Sequence, residues 1–86
     1  MADITVDESI LEYAVRYALG RQSYSVYDVI VTIDQNWKNL SQRSKFVILR
    51  DIQDFLINHS DFPGDIYDCW EKAYEKLSAK YPYPIV

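Results

Sequence analysis

Apolar residues recur at intervals of three and four in separate runs along this chain, a spacing that gathers them on one face of a helix and scatters them across both faces of a strand. The run Ile66, Cys69, Trp70, Ala73, Tyr74, Leu77 and Tyr81 follows it throughout. The second run tests it, because Val26, Val29, Ile30, Val31, Thr32 and Ile33 are β-branched and such residues favour strands. Spacing decides for a helix: Val26, Val29, Ile30, Ile33, Trp37 and Leu40 share one face, and nothing else in the chain offers a strand to pair with. The expected fold is all-α, a compact bundle of about four short helices.

Capping chemistry sets the expected limits. Thr5 to Glu8 reads as a T-x-x-E capping box opening a helix over about 6–19. Its inward positions are Ile10, Ala14, Tyr17 and Ala18, widened by Leu11, Val15 and Leu19, which leaves Glu8, Glu12 and Arg16 as the wet face. Gly20 supplies the left-handed residue that ends a helix cheaply. Ser25 with Asp28 caps a helix over about 25–39. Ser41 caps another over about 42–58, with Phe46, Ile48, Leu49, Ile52, Phe55 and Leu56 inward and an Arg50 to Asp54 pair outside. The Pro63-Gly64 turn breaks the chain, and Asp65 caps a last helix over about 65–80, with Asp68 at its third position. Residues 81–86 form an irregular tail in which Pro82 and Pro84 forbid more helix. All 86 residues belong to a single domain, since two cores cannot be cut from this length.

Several function classes are excluded or weakened at this stage. No apolar run approaches the roughly 20 residues that cross a bilayer, the longest being Phe46 to Leu49. The start MADITVDES has neither a basic nor an apolar leader region, and Cys69, the one cysteine, has no intramolecular disulfide partner, so the expected location is the cytoplasm. A formal charge of −4 argues against direct nucleic-acid binding, which draws on a basic surface to release counterions.

Little catalytic machinery can be written from these residues. One histidine, His59, precludes a Ser-His-Asp or multi-histidine arrangement within one chain. At a helix end it is expected to meet terminal carbonyls, with a metal held by His59, Asp61 and Asp65 as the competing reading. Cys69 beside Trp70 reads as a buried structural thiol. Two glycines in total cannot make a phosphate loop or a dinucleotide fingerprint. The chain is therefore expected to be no enzyme, with no catalytic, metal or cofactor residues and no cofactor.

Charge and aromatics carry the interaction signal. Residues 51–71 carry −6 through Asp51, Asp54, Asp61, Asp65, Asp68 and Glu71, a row that could imitate phosphates or simply form a solvated rim. Arg16, Arg21, Lys38, Arg43, Lys45 and Arg50 could conversely gather as a basic patch. Tyr24, Tyr27, Tyr67 and Tyr83 fall off the expected buried faces, and tyrosine is enriched in interfaces. Arg21 is expected either to brace the first helix against Asp51 or Asp28, or to contact a target. The candidate interaction residues are thus Arg21, Tyr24, Tyr27, Asp51, Asp54, Asp61 and Tyr83.

RYALGRQSYSV at 16–26, NWKNLS at 36–41 and ILRDIQD at 48–54 resemble a pattern in small uncharacterised proteins of phages and prophages, over roughly half the chain, with Trp70 matching a tryptophan in their last segment. The resemblance implies a mobile-element accessory protein in a bacterial host cell and carries over no catalytic positions. The expected function is non-enzymatic binding and inhibition of a host protein or nucleoprotein complex, such as a CRISPR defence nuclease, by a monomer or homodimer. A small regulator touching nucleic acid through Arg21, Arg43, Lys45 and Arg50 is the alternative, and a structural or assembly protein the third reading.

Overall fold

The computed structural model describes residues 8–20, 25–62 and 64–82. Along them run α1 (Glu8–Leu19), α2 (Ser25–Asn36), a 3-10 turn (Trp37–Asn39), α3 (Gln42–Asn58) and α4 (Gly64–Ser78), and there is no strand among the described residues. The β-branched second run is helical because its apolar face has a helical core to enter: Val26 and Ile33 are buried and Val29 and Ile30 half-buried. The chain tightens at Trp37, where the Leu40 N–H donates to the Trp37 carbonyl at 3.1 Å and Leu40 turns extended. Trp37 and Leu40 both point inward across this turn. Ser41 then caps α3, its Oγ accepting from the Ser44 N–H at 3.2 Å.

Each helix packs on two others, so that α1, α2, α4 and α3 follow one another around the core. Contacts fix their directions. Glu8 meets Ser41 and Arg16 meets Asp51, so α1 and α3 are parallel. Tyr27 meets Cys69 and Asp34 meets Lys76, so α2 and α4 are parallel too. Gln53 with Tyr74, and the Leu56 carbonyl with the Tyr67 hydroxyl, make α3 and α4 antiparallel. Trp70 is fully buried where these helices meet, alongside Ile48, Leu49, Ile52 and Leu77. Its ring lies 6.3 Å from that of Phe55, which in turn takes Phe62 edge-on at 4.9 Å.

The first helix is turned differently from its expected orientation. Its buried residues are Leu11, Val15, Ala18 and Leu19, whereas Ile10 and Tyr17, expected inside, are exposed. Glu8 and Glu12, expected wet, are half-buried against the start of α3. Of the expected capping box, Thr5 lies outside the described residues; the Glu8 carboxylate accepts from the Ser41 N–H and from the Ser41 and Ser44 hydroxyls. It thereby serves the start of α3.

Smaller corrections follow the same logic. Gly20 is not left-handed; its N–H donates to the Arg16 and Tyr17 carbonyls at 3.3 and 3.2 Å, closing the helix with a tightened turn. Asp65 is not a cap, because α4 already begins at Gly64 and Asp65 lies in its first turn, where a carboxylate still suits the helix dipole. The same helix ends at Ser78, before a turn over residues 79–80, so its expected limits move back at both ends. Tyr67, expected outside, is half-buried against the core, its hydroxyl donating to the Leu56 carbonyl at 2.9 Å.

Two outcomes test this packing. Trp70→Ala should destabilise by about 3–5 kcal/mol, read from urea unfolding. Trp70→Phe should cost less, because it keeps the ring contacts and removes an indole N–H that has no partner among the described residues. A Cβ at Gly20 would meet only carbonyl oxygens at 3.7 and 3.8 Å, an ordinary contact distance. Gly20→Ala should therefore raise stability by about 0.4–1 kcal/mol, against the loss that a left-handed glycine would give.

Candidate interaction surface

With Leu11, Val15 and Ala18 turned to the core, helical geometry sends Ile10, Tyr13 and Tyr17 to the opposite side of α1. They are 64%, 69% and 48% exposed, more than solitary surface apolar groups normally require. Tyr13 and Tyr17 are one helical turn apart and stack on each other, with ring centroids 6.4 Å apart and 25° between planes. Beside them runs a groove of about 310 Å³ lined by Tyr13, Ala14, Tyr17, Ala18 and Val29, between α1 and α2. The alanines keep this groove open, since larger side chains there would fill it. Among the described residues, none that lines it is charged.

The charges of α1 lie elsewhere. Glu8 and Glu12 bond the hydroxyls of Ser41 and Ser44, and the Arg16 Nε donates to Asp51 at 3.2 Å. Thus α1 presents an aromatic face to the outside while its carboxylates and guanidinium serve α3.

Sequence-selected residues fall into three groups. Arg21, Tyr24 and Tyr83 lie outside the described residues. Tyr27 and Val31 are exposed on α2, beside the buried stripe. The Tyr27 hydroxyl also meets the Cys69 thiol of α4, and the Cys69 hydrogen bond, then the Cys69 charge, then desolvation and the Asp65 charge hold the phenol above its ordinary value of 10. Cys69, expected buried, is half-buried in this contact.

The acidic residues do not form one uniform row. Asp51 is half-buried and bound to Arg16. Asp54 is exposed and lines, with Arg16, Leu19, Asp51, Phe55 and His59, a second groove of about 310 Å³ between α1 and α3. Asp61 is exposed in the turn after α3. His59 ends α3 through its backbone N–H, which donates to the Phe55 carbonyl at 2.9 Å. Its ring, expected on terminal carbonyls, packs on Phe55 and Phe62 at 5.4 and 5.3 Å. Among the described residues no three His, Cys, Asp or Glu side chains converge as metal ligands, so His59, Asp61 and Asp65 are not brought together. No described helix is long and apolar enough to cross a membrane.

The basic side chains are also partly committed. Arg16 holds Asp51, and the Lys45 ammonium lies 5.9 Å from the centroid of the Trp37 ring. Lys76 and Lys80, outside the expected patch, both reach Asp34 across α2 and α4, at 3.1 and 3.5 Å. The Lys76 hydrogen bond above all holds the Asp34 carboxyl below the ordinary 3.8.

Sequence reasoning missed Ile10, Tyr13 and Tyr17 as a surface. A signal was present: apolar residues occupy both sides of α1, and a helix at the edge of so small a domain can bury only one. In comparisons with known proteins, the chain matches no family model, no curated protein and no solved structure.

The Arg16 to Asp51 pair is a surface interaction, with the Arg16 side chain 65% exposed. Arg16→Ala should therefore lower stability by less than about 1 kcal/mol, and the difference should shrink when thermal melts are repeated in high salt.

Proposed function

We propose that this chain is a non-enzymatic protein-binding module whose contact surface is the outward face of α1 with the groove beside it. The observation that carries this reading is the grouping of Ile10, Tyr13 and Tyr17 outside the core, next to a groove whose described lining is aromatic and aliphatic. Tyrosine contributes large, rigid contact area at small entropic cost, with a hydroxyl left for the rim. Tyr27 and Val31 extend the exposed apolar surface on α2.

The resemblance to phage and prophage proteins supplies the kind of partner: a protein of the bacterial host, inhibited by occupation, with a defence nuclease complex of the CRISPR type as the specific case. In this reading the protein works in the host cytoplasm, needs no cofactor, and acts stoichiometrically. Asp54 and Asp61 are exposed acidic groups that would speed encounter with a basic partner, while the aromatic face would hold the complex together. The engagement of Arg16 with Asp51 and of Lys45 with Trp37 favours this over a regulator that grips nucleic acid through a basic patch.

The test is capture of partners from host lysate with tagged protein, set beside a gel shift with DNA and RNA. Tyr13→Ala and Tyr17→Ala should each accelerate dissociation from the captured partner by about 1–2 kcal/mol in equivalent free energy, with melting temperature unchanged. Equal retention of the partner by both variants would remove this face from the interaction. Inactivation of a target at substoichiometric ratio, or a covalently altered target, would overturn the non-enzymatic reading.

A further inference from the structure

The most fully bonded polar cluster in the described fold joins the start of α1 to the start of α3. One Glu8 carboxylate oxygen accepts from the Ser41 N–H at 2.6 Å, and the other faces the Ser41 and Ser44 hydroxyls at 3.1 and 3.0 Å. Glu12 approaches the same Ser44 hydroxyl at 2.9 Å. Ser44 is 2% exposed and is the buried polar side chain at the centre of the cluster. The N-terminus of α3 favours an anion here through its dipole and its unpaired N–H groups.

We propose that this cluster is an acid-released latch: protonation of Glu8 frees the first turns of α1 from α3 while the α3 and α4 core remains folded. A carboxylate only accepts hydrogen bonds, so all three donors are matched; a neutral carboxyl loses the charge and presents a donor of its own to them. Release is local because the apolar anchoring of α1 is uneven. Its first six residues, 8–13, bury only Leu11, whereas Val15, Ala18 and Leu19 are buried in its second half, where Arg16 also holds Asp51.

The charges around Glu8 do not replace it. On α1, Glu12 shares Ser44 and Arg16 is taken by Asp51; on α3, Arg43 favours the ionised form and Lys45 lies over Trp37. On the neighbouring turn Lys38 is exposed, and Asp34 of α2 is held by Lys76 and Lys80. The Ser41 backbone hydrogen bond first, then the Ser44 hydroxyl, keep Glu8 below its ordinary 4.5. The stabilisation is therefore complete above pH 4.5 and is lost as pH falls through the lower folded value.

The experiment is amide exchange and ¹H–¹⁵N spectroscopy of the full chain between neutral and acid pH. Residues 12–14, whose N–H groups bond the carbonyls of the first turn, should lose protection together with a titration shift of the Ser41 amide, while residues 49–55 and 70–77 stay protected. Glu8→Gln, which keeps one acceptor and removes the charge, should exchange residues 12–14 at least about tenfold faster at neutral pH, with a flattened acid dependence. Ser44→Ala keeps the carboxylate but removes one donor, and should move the Ser41 amide midpoint up towards the ordinary glutamate value; this variant decides the matter if Glu8→Gln does not fold. Loss of protection in α1 and α4 in a single step, or an unchanged Ser41 midpoint in Ser44→Ala, would overturn the latch.

Discussion

The tie between the Glu8 carboxylate and the start of α3 determines which way α1 faces, and the surface of the protein follows from that. Glu8 and Glu12 lie one turn apart on the same side of α1, and both reach Ser44. With that side turned to α3, Leu11, Val15 and Ala18 meet the core. Ile10, Tyr13 and Tyr17 then have nowhere to go but outward. A purely hydrophobic account would place either apolar side of α1 inside. The polar contact distinguishes them, because the other orientation would leave the α3 N-terminus and the buried Ser44 hydroxyl without these acceptors.

The same orientation separates the polar work of α1 from its outward face. Charged side chains along the helix serve α3, so none of the described residues lining the groove by Tyr13 and Tyr17 is charged, even though the whole chain carries −4. That separation matters for binding: an apolar face without charges imposes little desolvation cost on a partner. The ion pairs elsewhere have a different role. Asp34 with Lys76 joins the C-terminal halves of the parallel helices α2 and α4, Lys80 adds to it from the turn after α4, and a hydrogen bond between Tyr27 and Cys69 joins their N-terminal halves. These exposed ties set register more than they add stability.

How much the sequence disclosed depended on whether an interaction was local. The Ser41 cap and the inward stripes of α2, α3 and α4 were legible because spacing and capping are properties of a few neighbouring residues. The orientation of α1 was not, because its deciding partners, Ser41 and Ser44, are more than thirty residues away. Tyr67 was misplaced for a related reason: its hydroxyl reaches the Leu56 carbonyl of α3, and side-chain periodicity in α4 alone contains no record of that acceptor. Of the proposed interaction residues, Tyr27, Asp54 and Asp61 are exposed, whereas Asp51 is drawn into an ion pair whose basic member was assigned to the wet face.

Glu8 also shows how a residue of a local motif can take a tertiary role. In a capping box its carboxylate would reach back to a single backbone donor at the start of its own helix. At α3 it meets one backbone and two hydroxyl donors, the buried Ser44 hydroxyl being shared with Glu12. A carboxylate has enough lone pairs for these three bonds, and each is strengthened by its charge. The T-x-x-E spacing therefore marks a carboxylate placed at the first turn of a helix, but the helix it caps is decided by which unpaired donors the fold brings to it.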